Sequence, residues 1–169
     1  MVIWITGISG SGKTSLSQAL LLLLKPRIPE LVVLDGDAVR AAFGNDLGYS
    51  EEERIQQITR IQGIAKLLSD QNMVVLVAAL YANPRLLAWN RQNIPDYVEV
   101  YLQASLDTVR ARDHKGLYAA NLNHMVGIDI PWHAPEHADI VIDMDISNSP
   151  IELAQHLIQR IPGLTRQGT

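Results

Sequence analysis

The stretch Gly7-Ile8-Ser9-Gly10-Ser11-Gly12-Lys13-Thr14 constrains this chain more than any other feature. It matches G-x-x-x-x-G-K-[ST], a loop that works only between a strand and a helix. Both flanks comply. Val2–Thr6 is a short apolar run, and Lys13–Leu24 has the composition of a packed helix. Glycines let backbone N–H groups converge on an anion, and the helix start adds its positive end. Lys13 then reaches terminal phosphates, and Thr14 offers a hydroxyl to Mg²⁺. Gly7, Ser9, Gly10, Ser11, Gly12, Lys13, Thr14 and Ser15 are therefore the candidate contacts for ATP, with Thr14 the candidate contact to the metal.

The rest of the chain repeats the same alternation. Leu31–Asp35, Met73–Ala79, Tyr97–Leu102 and Ile140–Asp143 are rich in Val, Ile and Leu with little polar alternation. Strands covered on both faces have that character. Between them, Ser50–Ser69, Pro84–Arg91, Ser105–Arg112 and Pro150–Ile161 read as helices, and Ser50 with Glu53 forms a capping box. The pattern predicts a single α/β domain over 1–169, a P-loop NTPase fold with a doubly wound parallel sheet flanked by helices. In such sheets ligands bind beyond the carboxyl ends of the strands, where the motifs fall.

Composition narrows the class. A net charge of −4 gives no basic footprint, so nucleic acid is not an expected partner. The absence of cysteine excludes disulfides, thiol catalysis and thiolate metal sites and fits a cytoplasmic location. Met1–Gly7 reads as a buried strand, not a signal peptide. The longest purely apolar run, Ala19 to Leu24, is too short to span a membrane. Among the five histidines, His133 and His137 have helical spacing, but Pro135 lies between them, and no zinc site is expected. The sequence leaves a homodimer open.

Leu34-Asp35-Gly36-Asp37 places two carboxylates at a strand end. Asp37 is the candidate to accept a hydroxyl proton or to hold a metal-bound water. Asp35 can face the phosphates or cap the next helix. Arg54 and Arg60, six residues apart, do not share a helix face, and Arg54 is the one placed to reach an anion. The basic run from Arg110 to Lys115 has the composition of a lid over a triphosphate, and also that of a solvated helix end.

Four blocks together carry a resemblance: Gly7–Ser15, Leu34–Arg40, Leu47–Arg54 and Arg112–Tyr118, with a weaker fifth at Gly127–Pro135. The chain resembles adenylylsulfate kinase, which uses ATP to phosphorylate the 3′-hydroxyl of adenosine 5′-phosphosulfate. The resemblance implies that Asp37 and Lys13 are catalytic. It implies that Asp35, Arg40, Tyr49, Arg54, Gln57 and Asn83 serve the acceptor, with Tyr49 stacking on its base. It implies a lid over about 112–135, with Arg112 on the nucleotide and Lys115, Gly116, Leu117 and Ile128 toward the substrate. Magnesium and a small nucleotide substrate follow.

Departures from the family pattern cluster on the acceptor side. Met125-Val126 stands where the family usually has Phe-Thr, at a loss of stacking of about 1–3 kcal/mol. The segment from Tyr118 to Gly127 is shorter than usual. Gln57-Ile58-Thr59-Arg60 replaces Asn-Ile-Arg-Arg, Ala82-Asn83-Pro84 replaces Ile-Ser-Pro, and His133 replaces a glutamate. A paralogue acting on another nucleotide, such as cytidine diphosphoramidate, is the alternative acceptor reading. An ATP-hydrolysing switch is the alternative of another class.

Overall fold

The computed structural model describes residues 1–112, 132–146 and 149–165. Five strands are described: β1 (Val2–Thr6), β2 (Leu31–Asp35), β3 (Val74–Ala79), β4 (Tyr97–Gln103) and β5 (Ile140–Asp143). They form one parallel sheet in the order β2-β3-β1-β4-β5. The helices are α1 (Lys13–Leu24), α2 (Gly36–Ala42), α3 (Glu51–Ser69), α4 (Pro84–Asn93), α5 (Leu106–Ala111) and α6 (Pro150–Arg160).

β1 explains why the strands showed no polar alternation. Side chains alternate across a sheet, and here both faces are covered. Ile3 and Ile5 pack with Leu16, Leu20 and Leu24 of α1 and Leu157 of α6. Val2 and Trp4 face Ile58 and Ile61 of α3 and Leu87 of α4. The sequence expectations hold within a few residues for every strand and for five helices. The sixth, α2, enters the sequence reading only as the helix that Asp35 can cap, without bounds, because Asp35-Gly36 also reads as a turn. Serine N-caps start α3, α5 and α6, and α3 and α6 carry full capping boxes. Among the described residues no helix is long and apolar enough to cross a membrane.

A buried polar network joins α3, α4 and β4 to the stem of β5. Gln62 donates to Asn90 at 2.8 Å, Asn90 to the Tyr97 hydroxyl at 3.2 Å, and Tyr97 to Glu99 at 2.9 Å. Arg91 pairs with Asp139 at 3.1 Å and lies 3.7 Å from Glu99. The Glu99 side chain is only 2% exposed. Burial pushes its carboxyl above the ordinary glutamate range, against the opposing pull of Tyr97 and Arg91. The folded chain therefore holds that proton more tightly than the unfolded chain does. The associated stability is full below the ordinary value of 4.5 and is lost as pH rises through the folded value. We expect the unfolding free energy of wild type minus that of Glu99→Gln to fall as pH rises above 4.5. Denaturant melts across that range check it, and a pH-independent difference would contradict the shift.

Candidate functional site

The loop between β1 and α1 lies at the carboxyl edge of the sheet, beside the ends of β2, β3 and β4. Two glycines are required by its shape. A Cβ on Gly7 would lie 2.6 Å from Ser11 Oγ and 2.7 Å from the Leu102 carbonyl oxygen. Gly12, with φ of 100°, is the N-cap of α1 in a conformation that side chains disfavour. No side chain caps α1, so its first-turn N–H groups are left to an anion. Lys13 Nζ donates to the carbonyls of Gly7 and Ile8, each at 2.8 Å. Its ammonium thus lies across the loop mouth. Ser9 lies within the loop, Ser15 is exposed on the first turn of α1, and Ser11 Oγ is buried without a hydrogen-bond partner.

Asp35 caps the next helix, one of the two readings its sequence position allows, and also reaches the phosphate-loop motif. Its Oδ1 accepts from the backbone N–H of Asp37 at 3.0 Å and of Ala38 at 3.3 Å, capping α2. Its Oδ2 accepts from the Thr14 hydroxyl at 2.8 Å. Two hard oxygen donors are thereby side by side at the loop, a donor set that suits Mg²⁺. Asp37 is exposed on the first turn of α2, two residues beyond Asp35.

The second half of the site is built on α2, α3 and the loop between them. Arg40 and Arg54 are buried, at 7% and 8% exposure. Arg40 Nη1 donates to the carbonyls of Leu47 and Gly48 at 2.6 and 2.8 Å. Arg54 Nε donates to the Tyr49 carbonyl at 3.0 Å. Their guanidinium carbons lie 4.7 and 5.5 Å from the centre of the exposed Tyr49 ring. Burial first, and then the charge of Arg40, hold the Arg54 guanidinium below the usual arginine range. Two neighbouring buried cations favour an anion between them.

Glu53 fastens the loop that carries Tyr49. Its carboxylate accepts from the Gly48 N–H at 2.8 Å, the Ser50 N–H at 3.1 Å and the Ser50 hydroxyl at 2.7 Å. The Ser50 hydroxyl first, and then the Gly48 and Ser50 amides, keep it below the ordinary glutamate range. A Cβ on Gly48 would fall 2.6 Å from that carboxylate. Gly48→Ala is therefore expected to displace Glu53, lower the melting temperature by about 2–4 °C and raise the acceptor KM. Unchanged melting and kinetics would show that the loop yields freely.

The remaining candidates divide. Gln57 donates to the Gly36 carbonyl at 3.2 Å, bracing the turn between Asp35 and Asp37. Asn83 caps α4 at the end of β3 by accepting from the Arg85 N–H at 3.0 Å. Arg112 reaches the Met144 carbonyl at 2.8 Å, and the Met144 methyl lies near Gly12. Arg60 turns away to Asp46 at 2.8 Å and to the Phe43 ring. Lys115, Gly116, Leu117, Ile128 and Met125, and with them most of the expected lid, lie outside the described residues. Sequence reasoning missed Tyr81, whose hydroxyl donates to Glu51 at 2.8 Å. Burial first, then the Glu51 hydrogen bond, push its phenol up, with Asn83 opposing. A lone tyrosine after an apolar strand gave no signal beyond packing.

Known proteins match this arrangement. The family model for adenylylsulphate kinase matches residues 1–143. An adenylyl-sulfate kinase of Paraburkholderia xenovorans is 38% identical, over 93% of this chain and 92% of its own. A cytidine diphosphoramidate kinase of Campylobacter jejuni is 35% identical, over 95% of each chain. The solved Mycobacterium tuberculosis APS kinase in complex with AMPPNP and APS superposes with a TM-score of 0.82 at 34% identity, over 94% of this chain and 95% of that one. The chain is an ATP-dependent phosphotransferase acting on a small nucleotide substrate, and it belongs to the adenylylsulfate kinase family.

Proposed function

We propose that the chain transfers the γ-phosphoryl group of ATP to the 3′-hydroxyl of adenosine 5′-phosphosulfate. The observation that carries this reading is the pair of buried guanidiniums, Arg40 and Arg54, on the ring of Tyr49. They offer a charged seat for a phosphosulfate and an aromatic face for a base. The backbone cradle between Gly7 and Thr14 receives the triphosphate. Lys13 leaves its two loop carbonyls for the β- and γ-phosphates. Thr14 and Asp35 would hold Mg²⁺, directly or through water, and the bound ion would supply charge neutralisation at the transferred group. Asp37 orients the acceptor hydroxyl and takes its proton as the new O–P bond forms. The bond from the γ-phosphorus to the bridging oxygen breaks, and ADP departs. The barrier falls by positioning and charge neutralisation, without a covalent enzyme intermediate.

A second acceptor is favoured by one observation: a relative 35% identical over nearly the whole chain is a cytidine diphosphoramidate kinase. Met125, at the position where the family usually carries an aromatic, agrees with a changed base. ADP release from ATP and Mg²⁺ separates the readings. Saturable stimulation by adenosine 5′-phosphosulfate supports the first. Stimulation by cytidine diphosphoramidate alone replaces it with the second. Hydrolysis indifferent to either acceptor would refute both.

A further inference from the structure

Gln57 is 4% exposed on α3, so both ends of its amide need partners. Arg60, nearly one turn further along α3, donates from Nη1 to Gln57 Oε1 at 3.3 Å. A guanidinium only donates, so the amide oxygen must be the end that faces it. The Gln57 NH2 is thereby turned to the Gly36 carbonyl, 3.2 Å away. Arg60 is itself held. Its fork meets the Asp46 carboxylate at 3.0 and 2.8 Å, and its guanidinium carbon lies 4.2 Å from the centre of the Phe43 ring. Phe43 and Asp46 belong to the stretch between α2 and α3 that also carries Tyr49. Gly36 stands between Asp35, which accepts the Thr14 hydroxyl, and Asp37. A continuous chain of hydrogen bonds thus runs from the stretch that carries Tyr49, through Arg60 and Gln57, to the turn that bears both carboxylates.

We propose that Gln57 and Arg60 are positioning residues for phosphoryl transfer: Arg60 fixes the Gln57 amide, and Gln57 fixes the Gly36 carbonyl and with it the aim of the Asp37 carboxylate. This rests on the reading of Asp37 as the group that takes the hydroxyl proton. Gln57 then serves the turn and not the acceptor, and the Arg60 charge is answered by Asp46 and not by a ligand. A misaimed base slows transfer without weakening binding, so the pair acts on rate.

The test is steady-state ADP release with adenosine 5′-phosphosulfate and, separately, with cytidine diphosphoramidate, read for the acceptor that wild type uses. Gln57→Met keeps the length and removes both polar ends. It is expected to lower kcat about tenfold, with KM for ATP and for the acceptor each changed less than about threefold. Arg60→Met is expected to lower kcat about threefold, and the double variant to stay within about twofold of Gln57→Met, because both act along one chain. In an Asp37→Asn background Gln57→Met should slow transfer less than about twofold, whereas a packing defect would keep its full effect. Wild-type kcat in Gln57→Met, a higher acceptor KM at unchanged kcat, multiplying effects of the two substitutions, or a full effect without Asp37 overturns the proposal. Should Gln57→Met fail to fold, the half-buried Arg60 carries the test, and wild-type kcat in Arg60→Met overturns it. Asp37→Asn separates the two levels. If it leaves kcat unchanged, the base reading fails and the role of Gln57 with it. If it slows transfer while Gln57→Met does not, only the role of Gln57 and Arg60 fails.

Discussion

An Asp37→Asn enzyme is expected to bind ATP as wild type does and to transfer phosphoryl groups about 10²–10⁴-fold more slowly. The substitution keeps size and polarity and removes only the ability to take a proton at the carboxylate. Asp37 is exposed on the first turn of α2, and the α2 cap is supplied by Asp35, not by Asp37. The cap of α2 should therefore survive the substitution, and loss of the charge at the helix start costs about 0.3–1 kcal/mol. Nucleotide binding by calorimetry, melting and single-turnover transfer are the three measurements. Transfer within a few-fold of wild type would remove Asp37 from the chemistry.

Asp35→Ala should behave differently, though it lies only two residues away. It removes the acceptor of two α2 amides and the partner of the Thr14 hydroxyl together. Loss of an N-cap costs about 1 kcal/mol, and loss of a metal-orienting carboxylate lowers turnover or metal affinity by about 10–100-fold. The expected result is a joint decrease in melting temperature and in activity, with the concentration of Mg²⁺ needed for half-maximal rate shifted upward. An enzyme that melts lower but keeps its Mg²⁺ dependence would make Asp35 a cap and nothing more.

That contrast also shows what the sequence could reveal. The loop from Gly7 to Thr14, the two-sided burial of β1 and the Ser50 capping box are local patterns, each written in consecutive residues or at helical spacing. They determine the sheet, the helices beside it and the shape of the glycine-rich loop. The double duty of Asp35 was open, because one carboxylate has two oxygens and a sequence does not say where each is aimed. The approach of Arg40 and Arg54 to Tyr49 depends on how α2 and α3 pack, which residue spacing does not encode. Tyr81 was illegible for the same reason: its partner Glu51 stands 30 residues away in the chain. The network around Glu99 likewise joins groups from four separate elements.

Lys13 also competes thermodynamically with any phosphate it would bind. Its ammonium already makes two hydrogen bonds to its own loop. On the proposed reading of Lys13, nucleotide arrival is an exchange, and the observed affinity is a difference between old and new bonds. If Lys13 takes the terminal phosphates as proposed, a departing ADP leaves a lysine with two carbonyls to return to, so strong gripping of the triphosphate and release of the product are compatible in one loop.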